Sequence, residues 1–421
     1  MKIRKILAIV LAAALCLCMF AACGGSGDTG TDSTSGNSES TSNNTDTSDN
    51  SESTSGNDDT SSSGNATGTF KLGVIGPLTG DAAIYGNAVA NGAKIAVDEI
   101  NALGGVQFEL RSEDDEADGE KSVNAYNTLL DWGMQVLVGP TTTGSAISVS
   151  SKVYEDRVFA ITPSASSIDV IDGKDNMFQV CFTDPNQGTA SADYISENLK
   201  DGKIAIIYRN DDAYSQGIRD TFVAEAKAKG LDVVYEGTFT KDTATDFSVQ
   251  LTAAQSEGAT TVFLPIYYQP ASVILKQAKD MGYEPTFFGV DGMDGILTMK
   301  GFDTKLAEGV MLLTPFVADA QDDKTQSFVK KYKDAYEDTP NQFAADAYDA
   351  VYIIYNALNE AGCTGDMKAE DICAKLVEVM PKLKVDGLTG EAMTWDASGA
   401  VSKAPKAMVI KDGVYVSPSA E

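Results

Sequence analysis

From Phe70 onward, short apolar runs alternate with longer amphipathic stretches. Phe70-Lys71-Leu72-Gly73-Val74-Ile75 predicts a strand, and residues 83–102 predict a helix in which Ile84, Ala88, Ile95 and Ile100 recur near helical spacing. Gly104-Gly105 ends it. The pattern then predicts a strand at 108–111, a helix at 122–132, a strand at 136–138, a helix at 146–154 and a strand at 158–161. Strand followed by helix, repeated, places parallel strands side by side with helices on both faces.

After residues 177–182 and the break Thr183-Asp184-Pro185-Asn186, the series restarts. Strands are expected at 203–208, 231–239, 261–264 and 286–289, with helices at 194–199, 214–229, 247–256 and 272–281. A break at Thr314-Pro315 precedes three helices, 325–336, 343–361 and 369–380. The middle one aligns Phe343, Ala347, Val351, Ile354 and Leu358 on one face, so it packs against a sheet. Short strands at 392–395, 406–411 and 414–416 close the chain. Two α/β units of this size imply two lobes: residues 69–184 with 315–388, and residues 185–314 with 389–416, followed by a tail at 417–421. The chain would cross between them near Asp184, Thr314 and Thr389, and three such crossings make a hinge.

Composition removes several functions. The 421 residues carry a net charge of −29 and no histidine. The charge disfavours nucleic acid and anionic membrane surfaces as partners. The missing histidine excludes Ser-His-Asp and Cys-His catalysis and histidine metal ligands. Neither a nucleophile elbow nor a phosphate-binding lysine loop is present, so no enzymatic activity is expected.

The two ends of the N-terminal region differ in kind. Residues 1–23 combine Lys2, Arg4 and Lys5, an apolar run over 6–19, and Phe20-Ala21-Ala22-Cys23. This reads as a secretory signal of lipoprotein type, with Cys23 lipidated as the mature N-terminus and anchored to the cell membrane. Residues 24–68 are almost all Gly, Ser, Thr, Asn and Asp, with no base. They form a tether with nothing to bury, of reach roughly 35–40 Å. Of the remaining cysteines, Cys363 and Cys373 are spaced to close a loop, or equally to be two small buried residues. Cys181 has no obvious partner.

Candidate chemistry sits at two strand ends. Val136-Leu137-Val138 leads through Gly139-Pro140 into Thr141-Thr142-Thr143-Gly144-Ser145, and Val158-Phe159-Ala160-Ile161 leads into Thr162-Pro163-Ser164-Ala165-Ser166-Ser167. Hydroxyls beside the free amides of a helix start can cradle a small anion such as a carboxylate. A single Thr or Ser there can also be only an N-cap. The acidic run Glu113-Asp114-Asp115-Glu116-Ala117-Asp118 offers oxygen ligands of the kind calcium takes, but not at EF-hand spacing. A loop capping the following helix is the expected outcome, and no metal or cofactor site is assigned.

With KLGVIGPLTGDAAIYGNAVANGAKIAVDEINALGG (71–105), SEDDEADGEKSVNAYNTLL (112–130), LVGPTTTGS (137–145), ITPSAS (161–166) and GEAMTWDASGAVSKAPKAMVIKDG (390–413), the body from Thr69 to Val416 resembles the type I periplasmic solute-binding proteins of the branched-chain amino acid family, receptors that feed ABC importers. The resemblance implies a two-lobed α/β fold, each lobe an open, mostly parallel sheet flanked by helices, joined by a three-strand hinge. It implies that Thr142, Thr143, Ser164, Ala165 and Ser166 hold a ligand carboxylate. It places Tyr85, Tyr214 and Tyr268 on the ligand wall and pairs Asp291 with the ligand ammonium. Many leucine-selective members carry glutamate where this chain has Asp291, one methylene shorter. A cap for a helix starting near Gly295 is the competing role for Asp291, and plain packing is the competing role for the tyrosines.

The resemblance further implies a monomeric, extracytoplasmic receptor, membrane-anchored through Cys23, that delivers an amino acid to ABC permease subunits. The same fold also serves as a ligand sensor signalling through a membrane partner, or as a binder of amides and other small polar solutes.

Overall fold

The computed structural model describes residues 65–199 and 202–418. The expected signal segment 1–23 with Cys23, most of the tether and residues 419–421 lie outside them. In chain order, β1 (Gly68–Gly76), α1 (Ala83–Leu103), β2 (Val106–Asp114), α2 (Gly119–Trp132), β3 (Val136–Val138), α3 (Thr143–Glu155), β4 (Phe159–Thr162) and β5 (Met177–Gln179) build a sheet of order β2-β1-β3-β4-β5. All its pairings are parallel. Then come α4 (Asp184–Asn198), β6 (Lys203–Arg209), α5 (Ala213–Lys229), β7 (Asp232–Phe239), α6 (Ser248–Ser256), β8 (Thr261–Leu264), α7 (Tyr268–Met281), β9 (Thr286–Gly289) and β10 (Met311–Leu313). The chain ends with α8 (Asp323–Tyr336), α9 (Gln342–Glu360), α10 (Ala369–Val379), β11 (Ala407–Lys411) and β12 (Val414–Val416). The second sheet has the order β12-β11-β10-β9-β8-β6-β7. Its β6–β10 pairings are parallel, and β11 and β12 are antiparallel additions.

Both sheets repeat one arrangement. The chain lays down a first strand, places the second on one side of it, then continues on the other side, so the order reverses between β1 and β3 and again between β6 and β8. At such a reversal the connecting loops diverge and leave a crevice beyond the carboxyl ends of the strands. The strands at these points are buried on both faces, which is why Val136, Leu137 and Val138, or Ile204, Ala205 and Ile206, read as unbroken apolar runs.

Helix α9 returns to the first sheet and lies on α1. Its face of Phe343, Ala347, Val351, Ile354 and Leu358 is fully buried. On the same helix, the Tyr348 and Tyr352 hydroxyls each donate to Glu99 Oε2 of α1 at 2.8 Å. The two backbones approach so closely at Gly92 that a Cβ there would lie 2.0 Å from the Ala344 carbonyl oxygen.

Several expected boundaries move, among them the start of α4, which lies at Asp184 within the expected break, with Thr183 as its N-cap. The body begins before Thr69: Ala66 is buried, and Thr67 exchanges backbone hydrogen bonds with Cys363 and Gly365. Composition misplaced this edge because the residues involved are as small and polar as the tether. Helix α3 begins at Thr143, three residues earlier than expected, so the hydroxyl-rich segment is the helix's own first turn. The third crossing lies near residue 405 and not at Thr389. Residues 385–403 stay on the first sheet, where the Gln179 amide donates to the Gly399 carbonyl at 2.9 Å and Trp395 Nε1 donates to the Gln179 carbonyl at 2.8 Å. The strand expected at 392–395 is only a pair of isolated bridges, Val385 with Met393 and Trp395 with Val401. Cys181, Cys363 and Cys373 are all buried free thiols.

A buried ion pair pins that segment. Lys403 Nζ lies 2.5 Å from Asp346 Oδ1 of α9 and donates to Thr389 Oγ1 at 2.9 Å, with both charged side chains only 3% exposed. Thr389 in turn donates through its hydroxyl and amide to Asp349. Burial pushes Asp346 up to about 6, against the opposing pull of Lys403.

The Gly92 contact sets a stability test. Gly92→Ala forces α1 and α9 apart because the colliding atom is backbone, and an overpacked site of this kind costs about 1–3 kcal/mol. A lowered urea midpoint at unchanged slope is the expected reading.

Candidate functional site

The crevice between the two sheets is built from strand ends. From β3, Thr141 turns its amide and hydroxyl onto the Ile75 carbonyl, at 3.1 and 3.2 Å. The next two hydroxyls are left free. Thr142 occupies the N-cap position of α3 but its side chain makes no capping bond. Thr142 Oγ1 and Thr143 Oγ1 have no partner, although these residues are only 6% and 1% exposed. Leaving buried hydroxyls unsatisfied costs about 1–3 kcal/mol each, and neither of these two is spent on capping α3. The α3 start thus presents free amides and free hydroxyls together.

The β4 end contributes less than expected. Thr162 Oγ1 donates to the Pro140 carbonyl and accepts from the amides of Ala165 at 2.9 Å and Ser164 at 3.3 Å. The Ala165 carbonyl is likewise taken by Gln179 Nε2. Ala165 therefore has no backbone group left for a ligand. Ser164 lines the crevice, whereas the buried Ser166 turns its hydroxyl toward Asp184.

Asp291 faces the α3 start from the second sheet. It follows β9, is 2% exposed, and opens a single 3-10 turn, Asp291–Met293. Its Oδ1 accepts from the Tyr214 hydroxyl at 2.5 Å. Gln187 Oε1 accepts from its amide at 3.1 Å, and Gln342 Nε2 donates to its carbonyl at 3.0 Å. Asp291 caps no helix: the 3-10 turn Ile296–Thr298 has Gly295 at its N-cap and no side-chain cap, and the neighbouring Asp294 carboxylate takes the Gly295 and Gln342 amides. Burial pushes the Asp291 carboxyl up to about 6, against hydrogen bonds from Tyr214, Gln187 and the Gly292 amide that favour the ionised form. Burial, then Asp291, holds the Tyr214 hydroxyl well above its ordinary range, so it remains a donor.

Tyr85, Thr141, Thr142, Thr143, Ser164, Tyr214, Tyr267, Asp291, Gly292 and Phe343 line a narrow cavity of ≈ 10 Å³. A wider opening outside it shares Thr142 and Tyr267 and includes Arg209 and Lys241. Of the expected wall residues, Tyr85 and Tyr214 are there and Tyr268 is not. Its hydroxyl donates to the Asp81 carbonyl at 2.7 Å and accepts from the Ile84 amide at 3.4 Å, and its amide donates to Tyr85 Oη at 3.2 Å. The Tyr85 hydroxyl donates to the Gly292 carbonyl. These bonds tie the first lobe directly to the second. The aromatic in the cavity is the preceding residue, Tyr267, with its ring centroid 5.3 Å from Tyr85 and 5.0 Å from Tyr214. Gln187, Tyr267, Gln342 and Phe343 escaped the sequence reading. Gln187 fell between the expected break and the next helix, Phe343 carried only a helix signal, and a Tyr-Tyr pair at a helix start does not say which ring turns inward.

The acidic run of 113–118 is consumed by local structure. Asp114 accepts from Leu78 and Glu116 amides and from the Thr79 hydroxyl, and Asp118 caps α2 through the Glu120 and Lys121 amides. Among the described residues no group of three or more acids, cysteines or histidines is arranged to hold a metal.

Comparison with known proteins agrees with this geometry. The Leu/Ile/Val-binding protein BraC3 of Rhizobium johnstonii is 32% identical over 302 residues, covering 71% of this chain and 81% of that protein. The leucine-, isoleucine-, valine-, threonine- and alanine-binding protein of Pseudomonas aeruginosa is 29% identical over 303 residues, covering 70% and 80%. Among solved structures, the branched-chain amino acid transporter substrate-binding protein LivJ of Streptococcus pneumoniae, in complex with isoleucine, superposes with a TM-score of 0.74. It shares 28% identity and covers 83% of this chain and 98% of its own. A family model described as periplasmic binding protein matches residues 69–413. With the two sheets, their strand order and the crevice between them, this match establishes that the chain belongs to the periplasmic binding protein family.

Proposed function

We propose that the protein is the solute receptor of an ABC importer, capturing an amino acid with a branched-chain or similar side chain between its lobes and presenting it to membrane permease subunits. The observation that carries this reading is the pair of unlike charges the crevice is made to receive. The uncapped start of α3, with the free hydroxyls of Thr142 and Thr143, suits a carboxylate. Asp291, across the crevice, suits an ammonium. A zwitterion taken out of water needs both, because an unpaired buried charge is very costly. With one partner on each lobe, only the closed arrangement satisfies both ends, and binding draws the lobes together. The names of the relatives support the amino-acid class, and the apolar edges of Tyr85 and Phe343 suit an aliphatic side chain. The chemistry is capture and release without turnover. Lipidation at Cys23 and the acidic tether would hold the monomeric receptor near its permease.

Calorimetry with leucine, isoleucine and valine tests the reading on refolded protein freed of carried ligand. Asp291→Ala is expected to weaken binding by about 30-fold or more, since removing one member of a buried charge pair costs 2–5 kcal/mol. Failure of every amino acid to bind the unsubstituted protein would end the zwitterion reading. The pH dependence has a definite sign. The ammonium pairs with the ionised carboxylate, so affinity is full above the Asp291 value of about 6 and falls as pH drops through it, by about tenfold per unit further down. Tyr268→Phe removes the hydrogen bond to Asp81 without touching the cavity. An affinity loss of about fivefold is expected, expressed as faster dissociation in stopped-flow measurements.

A further inference from the structure

Of the acidic run 113–118, Asp114 does more than close its own loop. Its carboxylate reaches back from the end of β2 to the turn that joins β1 to α1. Oδ1 accepts from the Leu78 amide at 2.8 Å, the Thr79 amide at 3.4 Å and the Glu116 amide at 2.9 Å, and Oδ2 accepts from the Thr79 hydroxyl at 2.6 Å. From the other side, Asn87 of α1 donates through Nδ2 to the Leu78 carbonyl at 2.9 Å. The turn also sits tightly on α1, since a Cβ on Gly86 would lie 2.1 Å from the Pro77 carbonyl oxygen. Burial pushes the Asp114 carboxyl up, but the Thr79 hydroxyl and the Glu116, Leu78 and Thr79 amides outweigh it and hold the group below the usual carboxylate range. Hydrogen bonds to an ionised acceptor are the strong ones, so residues 77–81 are held as one turn.

That turn is a seat for the opposite lobe. Helix α1 has no cap of its own: Ala82 stands at the N-cap position and makes no side-chain bond to the first turn. The Ala83 amide reaches the Gly80 carbonyl at 3.2 Å and the Tyr85 amide the Ala82 carbonyl at 3.0 Å. The acceptor of the Ile84 amide between them is the Tyr268 hydroxyl, at 3.4 Å. The same hydroxyl donates to the Asp81 carbonyl at 2.7 Å. Tyr268 opens α7 in the second lobe and is 4% exposed. A residue of one lobe thus caps a helix of the other, a role ordinarily filled by the Ser, Thr, Asp or Asn just ahead of the helix. Both groups that Tyr268 meets belong to the backbone of 81–84, so the fit depends on the shape of the turn and not on a side chain in it.

Taking the receptor reading as its basis, we propose that Asp114 is a positioning residue for ligand retention: it sets the 77–81 turn so that Tyr268 caps α1 across the crevice when the lobes are closed, and loss of that cap speeds ligand release. Asp114 is not among the cavity residues and makes no hydrogen bond to Tyr268. It acts through the Leu78 and Thr79 backbone on the Asp81 carbonyl and the Ile84 amide. The cap contributes to closure whatever side chain the ligand carries. It therefore lengthens the retention of every ligand by the same factor and leaves the choice among ligands to the cavity.

Two measurements on the full mature chain test it. The first is a double-substitution cycle read by stopped-flow dissociation of leucine. Asp114→Ala is expected to speed dissociation about fivefold, as Tyr268→Phe does. The two together are expected to be no faster than Tyr268→Phe alone, because the turn then has no cap left to position. An unchanged rate in Asp114→Ala, or single effects that multiply in the double variant, overturns the proposal; a merely structural role would lower the melting temperature and leave the two effects independent. If Asp114→Ala does not fold, Asp114→Asn, which keeps Oδ1 and loses Oδ2 as an acceptor, takes its place in the same cycle. The second measurement needs no ligand: solvent exchange of the Ile84 amide, followed by NMR. Faster exchange is expected in Tyr268→Phe and in Asp114→Ala alike. An Ile84 rate that Asp114→Ala leaves unchanged overturns the proposal whether or not any amino acid binds. If leucine and other amino acids do not bind at all, the receptor reading fails while the Ile84 exchange still judges the cap.

Discussion

The enclosure of Asp291 in a pocket without a basic partner governs the rest of the site. A carboxylate in that position is tolerable only when every other hydrogen bond around it is met, and three separate helices supply them: α4 through Gln187, α5 through Tyr214 and α9 through Gln342. Two of those helices belong to the second sheet and one to the first. The acid therefore reports on the assembly of both lobes, and its remaining electrostatic demand points into the crevice. The free α3 start opposite has the complementary need. In the proposed reading, a zwitterion supplies what each end lacks.

Strand order explains why these groups meet. Each sheet reverses direction beside its first strand, and each reversal opens a gap at the carboxyl edge. Thr142 and Thr143 follow β3, Ser164 follows β4, Tyr214 and Tyr267 follow β6 and β8, and Asp291 follows β9. None of these residues is close to another in sequence across the lobes. They are neighbours because two copies of one winding rule face each other.

How much of this was legible depended on whether the signal was local. Strand and helix alternation, the two sheets and the hydroxyl-rich turn after β3 all follow from runs of a few residues. The hydroxyl-rich turns supply Thr142, Thr143 and Ser164, the family resemblance adds Tyr85, Tyr214 and Asp291, and the structure brings all six to one cavity. Ala165 and Ser166 were expected beside Ser164, but Thr162 and Gln179 claim the backbone of one and Asp184 faces the side chain of the other. Those competitors are distant in sequence or indistinguishable from ordinary polar residues. The exchange of Tyr268 for Tyr267 turns on rotation at the start of α7, which no periodicity sets. The segment 389–403 was assigned to the wrong sheet because its apolar alternation fits any edge, and only contacts with β5 reveal which edge it covers.

The Lys403–Asp346 pair lies just ahead of β11, the strand through which the final segment of chain joins the second sheet. Both side chains are almost wholly shielded, so separating them would strand two charges in a poor dielectric. Of the three connections between the sheets, this one is consequently clamped at its first-lobe end. Any swing of the second lobe has this anchorage as a fixed point, and the other two strands of chain must twist around it. The pair therefore fixes where this crossing begins, leaving only the few residues between Lys403 and Ala407 to span from one sheet to the other.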